Sequence, residues 1–241
     1  EAKELADYKA CIKRRAAGEP VAYITGIRGF YEDEFAVGKG VLIPRPDTET
    51  LVEEALSGLA GKDGKQGGAE RKTVLELGVG SGAIVVSLAK AAPEHDYFAC
   101  DISMAALKTA SKNSARITPG KVRFFGGSWF EAVKLSSFFD LIVSNPPYIS
   151  SDEMRDLQPE IREFEPMTAL DGGPDGLDAY RLIISQAVDY LVPGGSLLLE
   201  IGYDQKAGVQ ALAEAVSGYE SASFIRDLAG HDRVAKIIKK H

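Results

Sequence analysis

The sequence predicts an α/β protein with a doubly wound, mostly parallel seven-stranded sheet that closes on an antiparallel C-terminal strand. A small β-hairpin and a helix precede it. Three observations predict this. From Lys72 onward, short apolar runs alternate with amphipathic stretches of helical period, the rhythm of a parallel sheet covered on both faces. The first of these runs passes through spaced glycines into a helix. The last two apolar runs follow one another with no helix between them, as antiparallel neighbours do.

Taken in order, residues 2–17 are charged and alanine-rich and end at Gly18 and Pro20, a helix with a stop signal. Glycine-punctuated short strands follow, with Phe30–Phe35 and Val37–Val41 as candidates. After Pro44 and Pro46, Asp47 or Thr48 can cap a helix that runs to about Leu59. Residues 61–70, "GKDGKQGGAE", read as a polar, glycine-rich linker. The sheet series then runs "TVLELG", "DYFACD", "KVRFFGG" and "FDLIVSN", with helices "SGAIVVSLAKAA" and "SMAALKTASKNSA" between the first three. A strong helix in "DGLDAYRLIISQAVDYL" leads to a fifth strand in "GGSLLLEIG", and a helix over about 205–216 leads to the pair "YESASFIRDL" and "DRVAKIIKK". The chain opens with "EAKELADYK" inside a helix and without Met, so an N-terminal piece is expected before it.

The 241 residues carry 28 Lys and Arg against 35 Asp and Glu, a net charge of −7. That balance argues against a general nucleic-acid binder, which needs a basic face to neutralise phosphate. Cys11 and Cys100 lie far apart with no CxxC pair, and His95, His231 and His241 have no ligand spacing, so neither a disulfide framework nor a metal site is expected. With no membrane-length apolar run and no signal peptide, the expectation is a cytoplasmic protein.

In "LELGVGSGAIVV", Gly78, Gly80 and Gly82 stand between a strand and a helix. Glycines let the backbone turn sharply and approach a ligand, whose polar tail meets the amides of the next helix. Gly78, Val79, Gly80, Ser81 and Gly82 are therefore candidate cofactor contacts at the carboxyl edge of the sheet. With Ala83 the run also fits the loose dinucleotide pattern. Asp101 ends the second strand, 19 residues after Gly82, where a carboxylate can accept ribose hydroxyls from either kind of ligand; its bland role is to cap the next helix. Glu76 would repel a pyrophosphate and suits the ammonium and sulfonium of S-adenosylmethionine better. Trp129 follows the third strand at the same edge and can pack against adenine, or simply belong to the core.

The fourth strand ends in Asn145-Pro146-Pro147-Tyr148. Asn145 is held extended by the proline after it. Its side-chain oxygen and the Pro146 carbonyl can accept two N–H bonds from one planar NH₂ group, and Tyr148 can stack on that group's flat body. An amide nitrogen is a poor nucleophile because its lone pair is delocalised. Two acceptors orient it and stabilise the charge that develops as it attacks a methyl group. Neither acceptor needs to titrate.

On these residues the chain resembles class I amino-methyltransferases. More narrowly, "VLIPRPDTETLVEEAL", "VLELGVGSGAI", "FDLIVSNPPYI", "FEPMTALDGGPDGLDAYR", "LVPGGSLLLEIG" and "DLAGHDRV" resemble the peptide chain release factor glutamine methyltransferases. The similarity runs from about Gly18 to Lys239. It implies the class I methyltransferase fold and methyl transfer from S-adenosylmethionine, leaving S-adenosylhomocysteine. The acceptor would be the side-chain amide of the glutamine in a release factor's Gly-Gly-Gln loop, so the reaction bears on translation termination. It further implies that Gly78 to Gly82, Asp101, Trp129 and Asn145 contact the donor, that Asn145, Pro146, Pro147 and Tyr148 clamp the glutamine, and that Ile43 to Pro46 help close the pocket. Val79 and Asp47 stand where the family often has Thr and Glu. By the same resemblance residues 1–20 are the end of an N-terminal helical domain that recognises the substrate, residues 21–70 the hairpin, helix and linker, and residues 71–241 the catalytic domain. The expected partner is a release factor, with no stable nucleic-acid binding, no membrane and a monomeric state.

The principal rival is a methyltransferase acting on exocyclic amines of rRNA guanine or DNA adenine, which the same clamp would serve; the acidic charge and lack of spare length weigh against it. A dinucleotide-dependent oxidoreductase would leave the Asn-Pro-Pro-Tyr run unexplained, and a non-catalytic binding module would leave the clamp idle. The acidic, glycine-rich "FEPMTALDGGPDGLDAY" reads as a loop over the pocket mouth or as a solvated connector.

Overall fold

The computed structural model describes residues 1–60, 70–134 and 138–241. The linker read at 61–70 therefore lies outside the described residues, save for Glu70. Helix α1 (Ala2–Ala16) ends where Gly18 takes a left-handed φ of 89°. A short α2 (Val21–Thr25) leads into the hairpin β1 (Ile27–Phe30) and β2 (Asp33–Ala36). The hairpin is the expected one, but its strands are not Phe30–Phe35 and Val37–Val41. The chain reverses inside the first of those runs, at Tyr31, whose φ of 53° breaks the strand. Phe30 and Phe35 consequently meet edge to face across the hairpin, their rings 6.0 Å apart, and both are buried.

The main sheet comprises β3 (Thr73–Leu77), β4 (Asp96–Asp101), β5 (Val122–Gly126), β6 (Phe139–Ser144), β7 (Leu191–Glu200), β8 (Ser223–Arg226) and β9 (Asp232–Ile238). Their order is β5-β4-β3-β6-β7-β9-β8, with the first five parallel and β9 antiparallel to both its neighbours. The chain winds outward from β3 to β5 and then crosses back to β6. The switch point thus falls between β3 and β6, where a doubly wound sheet opens a crevice at its carboxyl edge.

Alternation along the buried strands divides the core into two layers. Val74, Leu141, Val143 and Leu198 pack with α3 (Glu49–Leu59), α4 (Ala83–Ala91) and α5 (Met104–Ile117). Leu75, Leu77, Ile142, Leu197 and Leu199 face the other way, onto α7 (Asp178–Tyr190) and α8 (Lys206–Glu214), with the single turn α6 (Pro159–Arg162) lying in the connection before α7. The hairpin joins the first layer and is held there by one buried side chain. Asn113 on α5 accepts the Ala36 amide at 2.9 Å and donates to the carbonyls of Ala36 at 3.0 Å and Ser81 at 2.8 Å. It ties the hairpin to the glycine loop. Among the described residues no helix is long and apolar enough to cross a membrane.

Replacing Asn113 by Ala removes its bonds to three backbone groups, the buried Ser81 carbonyl and the part-buried amide and carbonyl of Ala36. We expect a loss of about 3 kcal/mol of stability, a fall in Tm of roughly 10 °C, measurable by calorimetry; an unchanged Tm would show that the clamp contributes nothing.

Candidate active site

Parallel pairing sets Leu77 of β3 opposite Ser144 of β6, and the Ser144 hydroxyl donates to the Leu77 carbonyl at 2.7 Å. The residues that leave the two strands, Gly78 and Asn145, are therefore neighbours at the switch point. They open on one cavity of about 520 Å³, the size of a site for a small organic molecule.

The floor is the glycine loop. The amides of Gly78 and Val79 both bond the Cys100 carbonyl, at 3.0 and 2.9 Å, which folds the loop back toward β4. Gly78, Gly80 and Gly82 all have positive φ, and a Cβ on Gly82 would sit 3.1 Å from that of Ala110, so the loop's path and the close approach of α4 to α5 both require glycine there. Asp101 does more than face a ligand. Its Oδ2 accepts the Gly80 amide at 2.9 Å and its Oδ1 the Ser103 amide at 2.8 Å. Helix α5 is capped by Ser103, which accepts from Ala106. Trp129 has a φ of 48°, which turns its ring back against Gly78. Gly78, Val79, Gly80, Ser81, Asp101, Trp129, Asn145 and Pro147 line the cavity; Gly82, Pro146 and Tyr148 do not.

Two other segments supply walls. Val41, Leu42, Pro44 and Arg45 form one, so that of the expected Ile43 to Pro46 only Pro44 and Arg45 reach the cavity, and Pro166 to Ala169 with Asp171 of the acidic loop form another. A single carboxylate joins them. Glu165, with its side chain 1% exposed, accepts the Ile43 amide at 3.1 Å and pairs with Arg45 at 2.5 Å. The same loop lies along the segment after Asn145: Ile149 bridges to Asp171, and Gly172 comes so close that a Cβ on it would be 2.8 Å from the Tyr148 Cα. The glycines of "LDGGPDG" thus let two backbones touch behind the cavity.

Asn145 donates through Nδ2 to the Thr48 hydroxyl at 3.2 Å. Thr48 sits at the end of a 3₁₀ turn (Pro46–Thr48) that runs straight into α3, and its side chain caps no helical amide. The expected capping role is replaced by this contact, because the turn already continues the helix. Tyr148 points away from the cavity. Its ring packs on the α7 side of the core, its hydroxyl meets Glu200 Oε1 at 3.5 Å, and its carbonyl accepts from Gln205 at 2.8 Å. Burial holds the Tyr148 hydroxyl well above its usual range, and the negative charge of Glu200 adds to this.

Two carboxyl groups are fully enclosed. Glu76 faces the cavity while its Oε2 accepts the Val85 amide at 2.9 Å; burial raises its pKa well above the carboxylate range. Glu200, at the end of β7, is pushed up to about 7 by burial, with Thr48 and Arg233 drawing it partly back down. Reading the sequence missed Thr48, Glu165 and Glu200 as site residues. All three lay inside segments quoted for the resemblance, "VLIPRPDTETLVEEAL", "FEPMTALDGGPDGLDAYR" and "LVPGGSLLLEIG", but nothing in those segments gave them a role in the site, since a buried glutamate has no local pattern. Among the described residues no group of three or more His, Cys, Asp or Glu is placed to hold a metal.

The fold is shared with a methyltransferase from Pyrococcus furiosus, 20% identical, with a TM-score of 0.62 and 98% of each chain covered. A family model described as the methyltransferase small domain matches residues 64–161, and one described as the PrmC N-terminal domain matches residues 1–26. The release factor glutamine methyltransferase of Agrobacterium fabrum is 44% identical over 232 residues, 96% of this chain and 78% of that protein. That of Neisseria gonorrhoeae is 44% identical over 235 residues, covering 97% and 81%.

Replacing Glu165 by Ala removes the acceptor shared by Ile43 and Arg45. We expect a loss of about 1–3 kcal/mol and faster cleavage within residues 163–177 by a broad-specificity protease. Cleavage at the wild-type rate would mean that the two walls hold together without it.

Proposed function

Because the chain belongs to the release factor glutamine methyltransferases, we propose that its 520 Å³ cavity holds S-adenosylmethionine and that Asn145 to Tyr148 present the glutamine of a release factor's Gly-Gly-Gln loop to it. The observation that carries this reading is that one cavity is bounded both by the glycine loop and by Asn145, so that donor and acceptor meet at the switch point. When bound, the donor supplies a methyl group activated by a sulfonium.

The residues present suit that donor. Backbone around Gly78 and Gly80 is bare enough for close approach, and Asp101 keeps lone pairs beyond the two amides it accepts. Trp129 offers an aromatic face beside Gly78. Glu76 places a buried carboxyl where a cationic ligand would favour its ionised form.

On the acceptor side, Asn145 contributes Oδ1 and Pro146 its carbonyl, two acceptors for the two N–H bonds of the glutamine amide. Pro147 supplies the neighbouring wall of the slot, and Tyr148, turned toward α7, anchors the run from behind through Glu200 and Gln205. The amide nitrogen is held with its lone pair toward the donor, and positive charge developing on it is met by two fixed carbonyl dipoles. The proton is then lost to water from a far more acidic nitrogen, so no titrating base is required. We place the reaction in the cytoplasm, carried out by a monomer without stable nucleic-acid binding. Residues 1–20 are assigned to substrate recognition, residues 21–70 to the wall-forming segment, and residues 71–241 to catalysis.

A labelled-methyl transfer assay tests this, with a full-length release factor, its Gln→Ala loop variant, rRNA and DNA as parallel acceptors. Label should reach the intact release factor alone, and Asn145→Ala should lower kcat by about 10²–10³-fold. Label confined to RNA or DNA would overturn the substrate.

A further inference from the structure

A primary amide is two-faced. Asn145 can serve as an acceptor for the substrate only if its Oδ1, and not its NH₂, is turned toward the cavity. Turned the other way it would set one NH₂ group against another. Something must decide between two orientations of nearly the same shape.

The structure contains a candidate on the far side of that amide. Thr48 Oγ1 receives the Asn145 Nδ2–H at 3.2 Å. Thr48 is 4% exposed and lines the cavity beside Asn145. A hydroxyl can donate as well as accept, and if its proton were free it could equally well donate to Asn145 Oδ1 and hold the amide reversed. Glu200 removes that freedom. It is 1% exposed, and its Oε2 is buried with no hydrogen-bond partner among the described residues, which leaves an acceptor available to the Thr48 hydroxyl. Its Oε1 faces the Tyr148 hydroxyl at 3.5 Å. One carboxylate thus stands behind both ends of the Asn-Pro-Pro-Tyr run.

Taking the clamp of the preceding section as given, we propose that Thr48 and Glu200 are positioning residues for Asn145. Glu200 accepts a hydrogen bond from the Thr48 hydroxyl, Thr48 accepts one from Asn145 Nδ2, and only Oδ1 of Asn145 is left to meet the substrate amide. Neither residue takes part in the chemistry.

The relay needs Glu200 ionised. A protonated Glu200 carries an O–H that can donate to the Thr48 hydroxyl as well as an oxygen that can accept from it, so the direction of the relay is no longer fixed. The groups that face Glu200 are the Thr48 and Tyr148 hydroxyls, Arg233 on β9 and Asp47 before α3, with the Tyr180 hydroxyl of α7 on its backbone carbonyl at 2.9 Å. Arg233 is itself committed to Asp227 at 3.0 Å and Asp47 at 3.3 Å and lends Glu200 only its field. Burial outweighs that field and pushes Glu200 up to about 7. The glutamine amide does not titrate in that range, so a rise in kcat with pH through about 7 reports this carboxyl.

The test compares wild type with Thr48→Val, Thr48→Ser, Glu200→Gln and Asn145→Ala on the full chain, with a release factor as acceptor. Thr48→Val should lower kcat on the order of 10- to 100-fold, with KM for the release factor, affinity for S-adenosylmethionine and Tm little changed. Thr48→Ser, which restores the hydroxyl, should regain most of that loss. Wild-type kcat should climb through pH 7 and Glu200→Gln should be low and flat. Wild-type kcat in Thr48→Val, equal loss in the Ser and Val variants, or the same pH profile with and without Glu200 would each overturn the relay. Asn145→Ala as active as wild type would overturn the clamp and the relay together, whereas an inactive Asn145→Ala beside a fully active Thr48→Val would overturn the relay alone.

Discussion

The pairing of β3 with β6 is the constraint on which the rest of the molecule depends. Because side chains alternate along a strand, slipping β6 by one residue would carry Ile142 out of the α7 layer and Leu141 and Val143 out of the α3 layer. The two-sided core therefore fixes the register to the residue. It fixes Leu77 against Ser144, and with them the points at which glycine loop and Asn145 leave the sheet. The glycine loop and Asn145 are thus brought together by hydrophobic layering below them rather than by their own polar contacts.

Those polar contacts then cost stability. Glu76, Glu165 and Glu200 are all buried around one cavity, and desolvating a carboxylate is expensive unless it is paired or hydrogen-bonded. Each is answered differently. Glu165 has a cation and an amide, Glu76 has a helix amide and the cavity, and Glu200 has hydroxyls and a remote arginine. Glu200, whose Oε2 has no hydrogen-bond partner among the described residues, is the one beside the Asn-Pro-Pro-Tyr run. This agrees with the general pattern in which unsatisfied polar groups gather where a protein handles a ligand.

How much of this could be read in the sequence depended on whether the signal was local. The alternation of strands and helices, the spaced glycines from Gly78 to Gly82 and the stiff run after Asn145 are each written within a dozen residues and were legible. The hairpin was legible as a hairpin but misplaced, since a left-handed Tyr31 carries no marker that a glycine would. Thr48 was seen as a helix cap because Ser and Thr before a helix usually are; its contact with Asn145 joins residues 97 apart. Glu165 and Glu200 likewise act across long separations, 122 residues to Ile43 and 52 to Tyr148. The glycines at 172 and 176 read as part of a loop over the pocket mouth or a solvated connector, whereas they mark a close approach of two backbones, which no single stretch of chain can announce.

The clamp proposed above offers oxygens alone, its amide NH₂ being held by Thr48. Deamidation of a glutamine side chain replaces its NH₂ by a second oxygen. Such a side chain would set lone pairs and a negative charge against Asn145 Oδ1 and the Pro146 carbonyl. Sites built to bond an N–H typically reject partners lacking it by a factor on the order of 10⁴. The geometry that positions the nucleophile would therefore also act as an inspection step, admitting only release factors whose critical glutamine is chemically intact.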